Sequence, residues 1–291
     1  MKPSRSQFLT VRGLSCHVRH WGREGAPKLF MLHGWMDVSA SFQFVVDSLQ
    51  GDWHVIAPDW RGFGLSERIA NDTYWFPDYL ADLDVILDHF APGQAVDLLG
   101  HSMGGNVVSL YAGVRPRRIR RLINLEGFGL QASRPEQAPG RYAAWLDQLR
   151  QPAEMRAYPS RQAVAARLQK TNPRLTDARA DFLSAHWSAP NARGEWEILG
   201  DPLHKRPSPL LYRVEEMMAC WAAITAPVLW VEAEDTNMWQ WMGPKPQARL
   251  EIDRRLGFLR EVQTRMMADA GHMLHHDQPA ALAQMIEAFL R

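Results

Sequence analysis

The stretch AVDLLGHSMGG, residues 95–105, decides the fold. It begins with an apolar run typical of a buried strand, and residues with helical spacing follow from Met103 to Val114. Between them lies Gly-x-Ser-x-Gly, residues 100–104, in the strand–turn–helix context of a nucleophile elbow. That turn is so tight that side chains at the two glycines would collide with their neighbours. Ser102 is therefore expected to present its hydroxyl at the top of a sheet, beside a helix N-terminus that favours developing negative charge.

Strand-like and helix-like segments alternate on both sides of this motif, after a hairpin predicted for residues 8–20. Apolar runs typical of strands lie at residues 28–32, 53–57, 122–125, 228–231 and 261–266. Helical spacing is present at residues 41–49, 77–90, 247–256 and 279–290. Alternation at βαβ spacing predicts the α/β class, with a largely parallel sheet and helices on both of its faces.

The alternation breaks in the middle of the chain. Residues 127–222 contain mainly helical segments with Pro, Arg and Trp, and no convincing strand. We therefore predict one α/β core domain, formed by residues 1–127 and 223–291, and a helical cap or lid inserted at residues 128–222.

Composition excludes several classes of protein. The chain has 33 Lys+Arg against 32 Asp+Glu, without the basic excess of nucleic-acid binders. No run approaches the roughly 18 apolar residues that span a membrane, and the N-terminal MKPSRSQFLTVRG lacks the apolar core of a signal peptide. The two cysteines, Cys16 and Cys220, are expected to be free thiols in a reducing, cytoplasmic environment. They are not spaced for a metal site, no cofactor is implied, and the oligomeric state is left open.

A serine nucleophile needs a base, and His272 is the best candidate among 11 histidines. It follows the last predicted strand and precedes the final helix, in the stretch DAGHMLHH, residues 269–276. His275 and His276 compete for the role, but we interpret both as exposed loop histidines.

Four blocks now stand in a recognisable order: HGWMD at residues 33–37, PDWRGFGLS at 58–66, the elbow, and Gly-His at 271–272. Together they resemble the α/β-hydrolase superfamily over essentially the whole chain. The Trp-Met-Asp and Gly-Phe-Gly blocks also resemble serine hydrolase-like proteins. The resemblance implies a mostly parallel eight-stranded sheet with helices on both faces and an inserted helical cap.

The same resemblance implies an oxyanion hole made by the backbone N–H groups of Trp35 and Met103, two donors that stabilise a tetrahedral oxyanion. We expect His33 to hold its own loop by hydrogen bonds. Asp59 and Arg61 are expected to order the neighbouring loop and not to act chemically.

The acidic member of the triad departs from the family pattern, which places Asp in a block like G-x-x-D after the strand that follows the cap. The corresponding stretch is VEAEDT, residues 231–236, where the acid position holds Thr236 if Ala233 replaces the glycine, and Asp235 would need a one-residue shift. Glu126 is the alternative, because certain haloalkane dehalogenases take their acid from the end of the strand before the cap. Glu126 and Asp235 both remain candidates. Either would hold the histidine tautomer and stabilise the imidazolium.

A serine at the elbow argues against haloalkane dehalogenase and epoxide hydrolase chemistry, which need a carboxylate nucleophile in this fold. Cleavage of a carboxylic ester or related acyl bond through an acyl-enzyme is the first prediction, of carboxylesterase or lipase type. The resemblance leaves open a cofactor-less dioxygenase of heteroaromatic rings, a C–C bond hydrolase, and a non-catalytic binding member.

Tryptophan is the one compositional anomaly, with 12 residues. Several fall in segments expected at the carboxyl edge of the sheet, where such folds bind ligands: Trp35, Trp60, Trp145, Trp187, Trp196, Trp239 and Trp241. They either pack the cap against the core or line a pocket for an apolar or aromatic small-molecule substrate.

Overall fold

The computed structural model describes all 291 residues. Its strands are β1 (Ser4–Val11), β2 (Leu14–Trp21), β3 (Lys28–Leu32), β4 (His54–Pro58), β5 (Val96–His101), β6 (Ile119–Leu125), β7 (Ala157–Tyr158), β8 (Ser188–Pro190), β9 (Trp196–Ile198), β10 (Val228–Ala233) and β11 (Val262–Met267). Its α-helices are α1 (Gln43–Ser48), α2 (Phe76–Phe90), α3 (Met103–Val114), α4 (Ala138–Leu149), α5 (Arg161–Thr171), α6 (Asp177–Trp187), α7 (Val214–Ala222), α8 (Trp239–Met242), α9 (Lys245–Leu256), α10 (Leu274–Asp277) and α11 (Pro279–Leu290).

Eight strands form the central sheet in the order β1-β2-β4-β3-β5-β6-β10-β11. Strand β2 is antiparallel to both of its neighbours, and the other pairings in the sheet are parallel. The predicted mostly parallel eight-stranded sheet is confirmed. Because parallel strands present their carboxyl ends at one edge, the loops after β3, β5, β6, β10 and β11 meet there.

Both faces of this sheet are covered, because successive side chains of a strand point to opposite faces. In β3, Phe30 and Leu32 join the larger hydrophobic cluster, which α2, α3, α7 and α9 cover. Leu29 and Met31 of the same strand join a second cluster, which α1 and α11 cover. A strand buried on both faces reads as a continuous apolar run, which explains why the sequence pattern located β3 correctly.

The segment between β6 and β10 is not purely helical. It contains α4 to α7 and a small antiparallel sheet in the order β7-β9-β8. The expectation that this region lacks strands was wrong, because strands of two or three residues are too short to show an alternating pattern. Residues from α5 and α6 form a third hydrophobic cluster with Val38 and Phe44. Helix α7 instead packs in the main core through Val214, Met218 and Trp221. The division of the chain at residues 128 and 222 stays a prediction.

Two simpler findings complete the description. Cys16 and Cys220 are both unpaired. None of the helices combines the length and the apolar character needed to cross a bilayer.

Candidate active site

The nucleophile elbow has the geometry that its glycines predict. Ser102 has φ 52° and ψ −115°, a strained conformation for a residue with a side chain. A Cβ on Gly104 would lie 2.3 Å from the Leu32 carbonyl oxygen of β3, and one on Gly100 would lie 2.3 Å from the Gly104 carbonyl oxygen. Glycine is therefore required at both positions. The turn places Ser102 at the carboxyl end of β5, directly before α3.

His272 lies in the loop between β11 and α10, and its Nε2 is 3.0 Å from Ser102 Oγ. On the other side of the ring, Nδ1 is 3.2 Å from Glu126 Oε2. In a neutral His272 ring, Nδ1 carries the proton and donates a hydrogen bond to the Glu126 carboxylate. Nε2 then accepts a hydrogen bond from the Ser102 hydroxyl. The structure therefore brings together three of the four residues considered for the triad.

Glu126 directly follows β6 and is fully buried, with φ 58°. Its Oε1 accepts the backbone N–H of Ala233 at 2.7 Å, and its Oε2 accepts the Thr236 hydroxyl as well as the His272 ring. A buried carboxylate is retained only when such donors replace its water. Each carboxylate oxygen of Glu126 is hydrogen-bonded here.

Asp235 is not part of this arrangement. Its side chain is 56% exposed and forms an ion pair with Arg174 from the loop between α5 and α6. The neighbouring Thr236 points to Glu126 instead, and the Thr236 oxygen also accepts the backbone N–H of Met238 at 3.2 Å. From the sequence, residue 236 was judged only as a possible position for the acid. A threonine at that position can instead donate its hydroxyl to an acid from another strand, here Glu126, and this signal was overlooked.

The loop after β3 approaches the elbow closely. A Cβ on Gly34 would lie 3.2 Å from the Cβ of Ser102, so glycine permits this approach. The next residue, Trp35, makes no hydrogen bond through its backbone N–H. Met103 is the first residue of α3, where the N–H groups have no acceptor within the helix. The two predicted oxyanion donors therefore lie on either side of Ser102 without internal partners.

His33 ties this loop to the one after β4. Its Nε2 accepts the backbone N–H of Trp60 at 2.9 Å, which leaves the ring proton on Nδ1, 2.8 Å from the Gly34 carbonyl oxygen. Burial lowers the pKa of His33, so the neutral ring is favoured. These contacts match the loop-holding role expected of this histidine.

The second loop is ordered by its own charged residues. Burial alone would raise the pKa of Asp59, but the 2.7 Å contact with His17, the nearby His33 and the Leu65 backbone N–H together outweigh burial and lower the pKa. The Asp59 carboxylate also accepts the backbone N–H of Leu65 at 3.0 Å. Arg61 forms an ion pair with Asp82 of α2. None of these groups bonds to Ser102 or His272.

The interpretation of His275 and His276 as exposed loop residues was wrong. They lie in α10, a single helical turn packed against α1 and α11, and are 0% and 2% exposed. Burial lowers the pKa of His276 well below its ordinary value. The sequence pattern could not show this, because two histidines next to a polar Asp resemble a solvated turn.

Residues 27–279 match the family model of the alpha/beta hydrolase fold. The chain belongs to the alpha/beta hydrolase family. The superfamily expected from the four sequence blocks is thereby confirmed.

Three proteins to which this alpha/beta hydrolase is similar illustrate the resemblance. It is 24% identical over 288 residues to a serine hydrolase-like protein from Dictyostelium discoideum, covering 96% of the chain and 79% of that protein. It is 28% identical over 173 residues to a serine hydrolase-like protein from Danio rerio, covering 56% of the chain and 52% of that protein. The match thus spans about half of the second relative. A thioesterase domain from the curacin biosynthetic pathway shares the fold, with a TM-score of 0.87 over 98% of this chain and 99% of that domain at 24% identity.

The tryptophans of this alpha/beta hydrolase fall into two groups. Trp60 and Trp187 are buried and donate to the His33 carbonyl oxygen and the Ser41 hydroxyl, so they connect loops. Trp35 and Trp241 are 50% and 43% exposed. The Trp241 ring centroid lies 5.8 Å from that of His272, and Trp35 is in the loop beside Ser102. The partly exposed indole of Trp241 therefore borders His272.

Proposed function

We propose that this chain is a serine hydrolase that cleaves a carboxylic ester, or a related acyl bond, through an acyl-enzyme intermediate. The observation that carries the proposal is the continuous chain of contacts from Ser102 Oγ to His272 and on to Glu126, at 3.0 and 3.2 Å. These distances are within the hydrogen-bond reach required of a nucleophile, its base and the group that orients the base.

In the proposed reaction, Ser102 Oγ attacks the carbonyl carbon while His272 Nε2 takes the hydroxyl proton. The Glu126 carboxylate holds the proton on Nδ1 and stabilises the imidazolium that forms. His272 then gives its proton to the leaving alcohol, and water attacks the acyl-enzyme by the same route. Glu126 is preferred to Asp235 as the acid because the Asp235 carboxylate is engaged by Arg174.

The oxyanion of the tetrahedral intermediate is assigned to the backbone N–H groups of Trp35 and Met103. Neither donor has to break an internal hydrogen bond to receive the oxyanion, so both are preorganised. In mutagenesis of other enzymes, one such donor contributes roughly 3–4 kcal/mol of transition-state stabilisation.

Substrates with an apolar or aromatic acyl or alcohol group fit the surroundings best. The exposed ring of Trp241 offers flat apolar surface next to His272. Residues 128–222 are proposed to act as the cap that completes the binding site.

The test is turnover of p-nitrophenyl acetate, butyrate and benzoate together with stoichiometric labelling by a fluorophosphonate. We expect hydrolysis of all three esters, with benzoate preferred, and a label that maps to Ser102. Ser102→Ala should lose both properties, while Ser208→Ala, which changes an exposed loop serine, should keep both. Absence of labelling in the folded wild-type chain would overturn the proposal.

Other chemistry on this fold gives distinct results in the same experiments. A cofactor-less dioxygenase would consume O₂ with a hydroxyquinolone-type substrate, and this activity would survive Ser102→Ala because the histidine is its base. A C–C bond hydrolase would cleave a diketone faster than any ester. A non-catalytic binding member of the family would neither consume O₂ nor cleave an ester or a diketone.

A further inference from the structure

A second group of polar side chains lies close to His272, and the proposed mechanism does not use this group. Asp37, His101 and His275 are 2%, 1% and 0% exposed. Each offers one ligand-type atom such that all three atoms lie within 4.8 Å of one another. Asp37 Oδ2, His101 Nδ1 and both ring nitrogens of His275 have no hydrogen-bond partner. Unpaired buried polar groups are costly, so three converging in one place require an explanation.

The ring nitrogen that His101 turns toward this group carries a lone pair. Its other nitrogen, Nε2, lies 2.8 Å from the His272 carbonyl oxygen and must donate to it. With the proton of the neutral ring on Nε2, Nδ1 has no proton and can bind a cation.

One oxygen of the Asp37 carboxylate is hydrogen-bonded and the other is not. Its Oδ1 accepts the backbone N–H of Val38 at 2.7 Å and the hydroxyl of Ser41. Its Oδ2 faces His275 Nε2 at 3.8 Å, too far for a hydrogen bond.

We propose that Asp37, His101 and His275 form a binding site for a divalent transition-metal ion, with Zn²⁺ the best match. Two imidazole nitrogens and one carboxylate oxygen are ligands typical of zinc. Atoms with the observed spacing share a point within about 2.8 Å of each, against roughly 2.0–2.2 Å for bonds from Zn²⁺ to such ligands. Side-chain shifts below about 1 Å close this difference.

A metal ion accounts for the group better than a proton on His275 does. One N–H of His275 can point to one acceptor, and the distance from His275 Nε2 to Asp37 Oδ2 is 3.8 Å. A metal ion at the centre contacts all three atoms at once. The surrounding hydrogen bonds also fit, because metal-binding histidines commonly donate their other N–H to a carbonyl oxygen, as His101 does.

The consequence concerns the architecture of the active site. Asp37 belongs to the loop that carries Trp35, His101 precedes Ser102 directly, and His275 lies three residues after His272. One ion would therefore join the oxyanion loop, the elbow and the histidine loop. Because no ligand is exposed, we expect the ion to enter during folding and to stabilise the folded state.

The test is metal content after expression of the full chain in medium supplemented with Co²⁺, followed by removal of any affinity tag. We expect about one Co²⁺ per chain, the visible absorption of cobalt bound by imidazole and carboxylate, and a higher Tm than after expression without added metal. Zn²⁺ should replace cobalt when supplied during expression. None of these measurements depends on esterase activity, so failure here leaves the proposed reaction untouched.

Variants assign the site. Asp37→Asn and His275→Gln should each lower bound Co²⁺ to background and abolish the absorption. His276→Gln is the matched control, since this buried neighbour is outside the group of three, and it should retain both. Wild-type chain without stoichiometric cobalt would overturn the proposal, as would equal losses in His275→Gln and His276→Gln. If Asp37→Asn does not fold, the wild-type measurement and the two histidine variants still decide.

Discussion

The proposed reaction centre, formed by Ser102, Glu126 and His272, is positioned by the central sheet, whereas helix α4 lies exposed at the surface. Ser102 and Glu126 directly follow β5 and β6, and His272 lies in the loop between β11 and α10. Glu126 is fully buried, and hydrogen bonds join it to β10 and the loop that follows. No residue of α4 is buried, and its contacts include a 3.3 Å hydrogen bond from Trp145 to Thr73.

Backbone strain follows the same division. Five residues other than glycine have positive φ, and four of them adjoin the reaction centre: Met36, Ser102, Glu126 and Asp269. Such conformations cost of order 1–3 kcal/mol each and persist only where the surrounding structure fixes them. In α4 every backbone angle is ordinary, but little fixes the helix in place. We infer that changes at the centre lower the rate of reaction, whereas changes in α4 alter access with little effect on stability.

The largest expected effect is that of Glu126→Gln. An amide cannot stabilise the His272 imidazolium, and it favours the wrong ring tautomer, so kcat for p-nitrophenyl butyrate should fall roughly 10³- to 10⁴-fold. The matched change, Asp235→Asn, removes an exposed carboxylate paired with Arg174 and should change kcat less than about threefold. The opposite ranking of the two variants would show that the acid has been misassigned.

Thr236→Val should have the next largest effect. The substitution keeps the shape of the side chain but removes the hydroxyl that Glu126 accepts, leaving the carboxylate one donor short. We expect a loss of about 10- to 100-fold in kcat with KM nearly unchanged, because a misplaced acid weakens the transition state and not substrate binding.

Thr236→Ser tests whether that loss comes from the hydroxyl. Serine retains the donor and should restore most of the rate, while circular dichroism checks that both variants are folded. Equal rates for the valine and serine variants would instead show that Thr236 only fills space.

The sequence was sufficient to predict the elbow and the histidine that contacts Ser102, because both depend on local pattern. The glycines at residues 100 and 104 and the strand before them lie within ten residues of Ser102, and His272 is fixed by its place after the last strand. The acid could not be decided in this way. Glu126 and Asp235 are 109 positions apart, and which of them meets His272 depends on how β6, β10 and β11 lie beside one another.

The buried group behind the base was beyond sequence reasoning for a related reason. Asp37 lies in the loop after β3, His101 ends β5 and His275 lies in α10, and no spacing along the chain links them. His275 was expected to be exposed, yet the short turn that holds it packs beneath the loop after β3. Long-range packing, not local propensity, decides both outcomes.

A third prediction concerns His204, through which the segment between β6 and β10 packs against the loop between β4 and α2. Its ring stacks between Phe63 and Tyr74, with centroids 3.8 and 3.7 Å away. Desolvation by burial lowers its pKa to about 3. An unfolded chain takes up this proton near pH 6.5, so the free energy of unfolding should decrease as the pH falls from about 6.5 toward 3. One such group contributes a slope of about 1.4 kcal/mol per pH unit.

Urea unfolding of the wild-type chain and of His204→Gln at pH 8, 6 and 5 measures this slope. The variant should lose stability at every pH, because the stacked ring is gone, but its stability should fall less steeply between pH 6 and 5. If stability falls equally steeply in the two proteins, His204 binds its proton equally well in the folded and the unfolded chain. That result would contradict a pKa lowered by burial of the stacked ring.

The smallest effect is expected in α4 itself, and a matched pair of leucines isolates it. Leu146 of α4 is 50% exposed and Leu168 of α5 is 4% exposed. Leu168→Ala should cost about 2–4 kcal/mol, since it opens a cavity in a packed cluster. Leu146→Ala should change the free energy of unfolding by less than about 0.5 kcal/mol, because little packing is lost and alanine favours the helix. Urea unfolding measures both, and brief proteolysis should cut beside α4 before α5. A large cost at Leu146 would mean that α4 is packed as firmly as the reaction centre, and the contrast between the two regions would fail.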